Sequence, residues 1–129
     1  MVGIVIVSHS SKIAEGLIEL SRQMAPNVPM ASAGGTLDGR IGTDIEKIIS
    51  SINEVYSKDG VLIIFDLGSA LMNAEMAIEY LDSEIQKKVS IVDAAIVEGT
   101  ITAAIQSSIG NNLEQIKKAL IHVGLNKLQ

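Results

Sequence analysis

The chain of 129 residues contains no cysteine and no tryptophan, and only one phenylalanine and two tyrosines. The missing cysteine excludes disulfides, a thiolate nucleophile and cysteine-held metals. The shortage of aromatic rings leaves an aliphatic core as the only option and gives nucleobases almost nothing to stack on. Basic residues are also in deficit, ten against fifteen acidic, for a formal net charge of −5, and no run of lysine or arginine occurs. That balance argues against nucleic acid or an anionic membrane surface as a partner. Apolar runs fall well short of the roughly 20 residues a membrane span requires, and no basic region precedes the first one. The expectation is a soluble cytoplasmic protein with a single domain over residues 1–129.

What is present is a sequence of short aliphatic runs ending in polar loops. Val2 to Val7 reads as a buried parallel strand running into Ser8-His9-Ser10-Ser11. Ile13, Leu17, Leu20 and Met24 then repeat at helical steps, predicting a helix over about Lys12 to Met24. Pro26 and Pro29 close it, and Val28 to Ala33 is a second strand. The next loop places four glycines within residues 34–42, a backbone free enough for tight turns and close approach to an anion. Thr43 and Glu46 have capping-box spacing at the start of a second helix. Val61 to Asp66 is aliphatic until its last residue, as suits a strand covered on both faces.

Gly68-Ser69 opens a third helix carrying Leu71, Ala74, Ala77, Ile78 and Leu81. Asp82 to Lys88 reads as a solvated turn, Lys87 and Lys88 included, and Val89 to Val92 as a fourth strand. Two helical stretches complete the chain. One carries Ile101, Ala104, Ile105 and Ser108; the other, capped by Asn112, carries Leu113, Ile116, Leu120 and Val123. His122 falls late in that last stretch, near the negative end of the helix dipole. Alternating strands and helices predict an α/β fold, doubly wound, with a mainly parallel sheet in the order 2-1-3-4 and helices on both faces. In that order the first and third strands are neighbours, which brings His9 and Asp66 to one carboxyl edge at the topological switch point.

A histidine whose ring is held by a carboxylate has its tautomer fixed and its other nitrogen free to attack, and glycine turns with helix amino ends supply amides for an anion. The pattern suits phosphoryl transfer through a phosphohistidine, with no cofactor and no metal. Taken singly, His9 can be a loop residue, Asp66 a turn or helix cap, and Gly34-Gly35 a simple turn. Other chemistries fit less well. A phosphoaspartate receiver wants an acidic pair after the first strand, a dinucleotide site wants G-x-G-x-x-G there, and a serine hydrolase wants G-x-S-x-G. A metal held by His9, Asp66 and Asp93 would be short of histidine. A non-catalytic flavodoxin-like binding module remains the alternative from another class.

Four stretches, Ile4 to Ser10, Gly34 to Thr43, Asp66 to Glu75 and Ala95 to Gly99, resemble the mannose-type EIIA domains of the phosphoenolpyruvate phosphotransferase system. They are most similar to the DhaM branch, the phosphotransferase subunits of bacterial dihydroxyacetone kinase. The resemblance implies that phospho-HPr charges His9 and that the phosphoryl group passes on to ADP held by the nucleotide-binding kinase subunit. It makes Asp66 the hydrogen-bonding partner of His9, and Gly35, Thr36, Gly68 and Ser69 the neighbours of the phosphate. It also implies a homodimer. The family's glycine loop often has two acids after the threonine; here Leu37-Asp38 follows Thr36, so no role is carried to the first acid. Some relatives continue into HPr-like and EI-like domains. This chain ends at Gln129, and the expectation is the stand-alone form served by external carriers. The EIIA component of a mannose-type sugar transporter is the nearest alternative, with the same histidine chemistry and a different acceptor.

Overall fold

The computed structural model describes residues 1–125 and Lys127. Strands β1 (Gly3–Ser8), β2 (Met30–Gly34), β3 (Val61–Phe65) and β4 (Val89–Val92) form one sheet in the order β2-β1-β3-β4. Every strand pair is parallel, as the alternation of strands and helices predicted. β1 and β3 occupy the centre, and all their residues are buried. Successive side chains of a strand point to opposite faces. Ile4, Ile6, Leu62 and Ile64 therefore feed one half of the core, and Val5, Val7, Ile63 and Phe65 the other. Burying each such side chain contributes roughly 1.5–3 kcal/mol, which explains why the two central strands tolerate no polar residue before Ser8 and Asp66.

Helices α1 (Ser11–Arg22), α5 (Ile96–Ser108) and α6 (Leu113–Ala119) cover the first face, and α2 (Ile45–Val55) and α3 (Gly68–Glu79) cover the second. A short helix, α4 (Ser83–Gln86), lies within the Asp82 to Lys88 stretch that sequence alone read as a turn. A 3₁₀ turn (Leu120–Val123) follows α6 and contains the exposed His122. Among the described residues no helix is long and apolar enough to cross a membrane.

Two local expectations shift. The buried face of α1 is Ala14, Leu17, Ile18 and Ser21, while Ile13, Leu20 and Met24 are exposed. Both sets have helical spacing; the small Ala14 and Ser21 face inward because they let the helix lie close to the sheet, and counting only large side chains misplaces the stripe. At α2 the cap is Asp44, whose side chain accepts from the Lys47 amide at 3.0 Å. Thr43 instead accepts a hydrogen bond from Asn73 of α3, tying the two helices of that face together. Asn112 does cap α6, in a reciprocal box with Gln115.

Candidate active site

Ser8 and Asp66 end or follow the two central strands, and neighbouring parallel strands bring their carboxyl ends level. The Asp66 amide donates to the Val7 carbonyl at 3.2 Å, which continues the pairing of β1 with β3 one step past Phe65. The Asp66 carboxylate then collects four donors. Oδ1 accepts from the Leu67 amide at 2.7 Å and faces His9 Nδ1 at 2.9 Å; Oδ2 accepts from the Ser8 hydroxyl at 2.8 Å and the His9 amide at 2.9 Å. Burial by itself would raise the Asp66 pKa, but the bonds from His9, Ser8 and Leu67 outweigh it and hold the carboxyl below its ordinary value. The group is therefore a carboxylate at neutral pH.

An ionised carboxylate only accepts, so Nδ1 of His9 carries a proton, and in the neutral ring Nε2 then keeps the lone pair. Nε2 lies 2.7 Å from the Ser69 hydroxyl, which donates to it. Ser69 is the second residue of α3, whose cap position, Leu67, provides no side-chain acceptor. The start of α3 thus presents amides and a dipole of positive sign to whatever sits on Nε2. The pair is accessible yet sheltered: the side chains of His9 and Asp66 are 22% and 15% exposed.

On the other side of His9, the Gly42 amide donates to the His9 carbonyl at 2.8 Å, so the glycine loop is anchored to the histidine itself. Within that loop the Gly35 amide bonds the Ser8 carbonyl and the Thr36 amide bonds the Arg40 carbonyl, while the Thr36 hydroxyl donates to Asp38. Gly35 has φ +73°, a conformation that favours glycine. Structure therefore brings all six expected residues around one edge, with Gly68 and Ser69 on the Nε2 side and Gly35 and Thr36 spending their amides on loop closure. Asp93 does not join His9 and Asp66; its carboxylate faces Lys127.

Sequence reasoning gave no separate role to Ser8, whose hydroxyl donates to Asp66 while accepting from the Ser10 amide at 3.0 Å. Its signal was present, since a serine as the last residue of a buried strand needs polar partners at that edge. Lys127 was missed too, and it carries no sequence signal.

The chain is similar to known proteins along most of its length. Residues 3–117 match the EIIA-man family, described as the PTS system fructose IIA component. A phosphoryl donor subunit DhaM of a PEP-dependent dihydroxyacetone kinase from Listeria innocua is 44% identical over 124 residues, covering 95% of this chain and 99% of that protein. The DhaM phosphoryl donor subunit of Escherichia coli is 42% identical over 120 residues, which is 90% of this chain but 25% of that longer protein. Among solved structures, the unknown-function protein EF1359 is 36% identical with a TM-score of 0.85, covering 98% of each chain.

Proposed function

Since the chain belongs to the EIIA-man family, we propose that it is the phosphoryl donor subunit of a dihydroxyacetone kinase and carries the phosphoryl group on Nε2 of His9. The observation that carries this reading is the His9 ring itself, held through Nδ1 by an ionised Asp66 with Nε2 turned to the start of α3. The acceptor comes from the DhaM relatives, which are named as donors to that kinase.

In the charging step, the Nε2 lone pair attacks phosphorus in line and the phosphorus–nitrogen bond of phospho-HPr breaks, its electron pair returning to the donor's ring. Asp66 retains the Nδ1 proton by hydrogen bond and balances the positive charge that develops on the imidazole. Ser69 vacates the Nε2 position and becomes a donor to the phosphoryl oxygens, together with the first amides of α3 at Gly68 and Ser69. Gly35 and Thr36 shape the opposite wall. No metal or cofactor enters the step. The phosphoryl group then passes to ADP on the nucleotide-binding kinase subunit. On this reading the protein works as a homodimer in the cytoplasm, alongside its phosphoryl carriers.

Incubation with phosphoenolpyruvate, EI and HPr is expected to place an acid-labile phosphate on the protein, and His9→Ala is expected to abolish it. Equal labelling of the variant would overturn the site. Chase of the labelled protein with a kinase subunit loaded with ADP tests the acceptor; a sugar-transporter component would fail to release its phosphate there.

A further inference from the structure

Lys127 lies against the site from a direction that the phosphoryl chemistry does not account for. Its ammonium donates to the Phe65 carbonyl and, at 2.7 Å, to the Ala94 carbonyl. It stands 3.7 Å from Asp93 Oδ1 and 4.1 Å from the centre of the Phe65 ring. Its backbone amide donates to Asp93 Oδ2 at 3.0 Å. The side chain is only 12% exposed, unusual for lysine, so these contacts are its environment. Asp93 Oδ1, buried and without a hydrogen bond, has this ammonium as its charge partner.

The contact with Phe65 has a particular consequence. Pairing of β3 with β4 ends at Ile64 and Val92, so the last carbonyl of β3 lies beyond the partner strand. The same peptide unit carries the Asp66 amide, which is bonded to Val7. One end of the peptide that enters Asp66 is therefore held by β1 and the other by Lys127. The Lys127 carbonyl also borders the start of α3, since a Cβ on Gly68 would lie 3.1 Å from it.

We propose that Lys127 is a positioning residue for the His9–Asp66 pair, closing the open carbonyl end of β3 and so fixing the peptide from which the Asp66 carboxylate projects. Asp93 holds Lys127 in turn, through both its backbone amide and its ammonium. The side chain loses water on burial, which lowers its pKa, and the charges of Asp93 and Asp66 oppose that shift. The cation thus feels the Asp66 carboxylate as well as gripping the backbone before it.

The inference rests on the phosphoryl-carrier reading for one of its two tests and is independent of it in the other. The independent test uses the unphosphorylated full chain and measures hydrogen exchange of the His9 Nδ1 proton by nitrogen-15 NMR. Lys127→Met, which keeps the length but removes charge and donors, is expected to speed that exchange about tenfold, because the Asp66 acceptor is less firmly held. The dependent test is single-turnover charging by phospho-HPr, expected to slow about tenfold with the donor concentration for half-maximal rate unchanged. Lys127→Arg is expected to restore both to within about twofold, because a guanidinium can meet the same carbonyls.

A lysine that only fastens the tail would lower the melting temperature and leave exchange and charging untouched, which would overturn the proposal. Asp93→Asn is the second variant: it leaves Lys127 in the chain, loosens it, and is expected to move both readouts the same way by about threefold. No change in that variant would also overturn the proposal. Absence of charging in the wild type would sink the phosphoryl-carrier reading while leaving the exchange test decisive for Lys127.

Discussion

Asp66 accepts four hydrogen bonds, one of which sets the chemistry of its neighbour. In Asp66→Asn the amide can turn its NH₂ toward His9 Nδ1, and a donor there favours the tautomer with the proton on Nε2, the wrong nitrogen for attack. Charging by phospho-HPr is expected to slow at least about a hundredfold while the fold persists, which circular dichroism and single-turnover labelling together would show. An unchanged rate would remove Asp66 from the mechanism. Ser69 is placed differently, because its hydroxyl contacts Nε2 directly, the nitrogen proposed to take the phosphoryl group.

At the scale of elements, the site depends on how closely α1 approaches β2. Gly34 ends β2 with no Cβ; one placed there would lie 2.6 Å from the Ser10 carbonyl and 2.9 Å from the Ala14 side chain. Gly34→Ala therefore pushes the start of α1, with the His9 loop, away from the sheet. Destabilisation of about 2 kcal/mol is expected from urea unfolding, the usual scale for overpacking. Gly16→Ala is the control, since nothing lies within 4 Å of that position and alanine suits a helix better by about 1 kcal/mol. Loss of stability in both variants alike would refute the close-approach argument.

For the whole molecule, the lowered pKa of Asp66 makes stability depend on pH in a definite direction. A carboxyl whose folded pKa lies below its ordinary value of 3.8 stabilises the fold above that value, and the contribution disappears as pH falls through the folded pKa. Urea midpoints of the wild type and Asp66→Asn are expected to differ at neutral pH and to converge in acid, below about pH 4. Asp38 and Asp59 are also lowered, by a hydrogen bond from Thr36 and by the amino terminus, but both are exposed and shared by the two proteins, so the comparison isolates Asp66. A constant gap across pH would contradict that assignment.

Sequence by itself determined the order of the strands and of the helices other than the short α4, the aliphatic core, the sheet order and the meeting of His9 with Asp66. These follow from local periodicity and from crossover handedness, both written along the chain. It did not determine which face of α1 is buried, because two stripes of equal spacing compete and only the distance to the sheet selects the one with Ala14 and Ser21. It did not separate Thr43 from Asp44 as the cap of α2, since the choice depends on Asn73 arriving from another helix. Tertiary structure alone decided that Nδ1 is the bound nitrogen and Nε2 the open one, that Ser8 supports the carboxylate, and that Lys127, 62 positions from Phe65, closes the end of β3. Those are contacts between residues far apart in the chain, and no local pattern encodes the angle at which two distant segments meet.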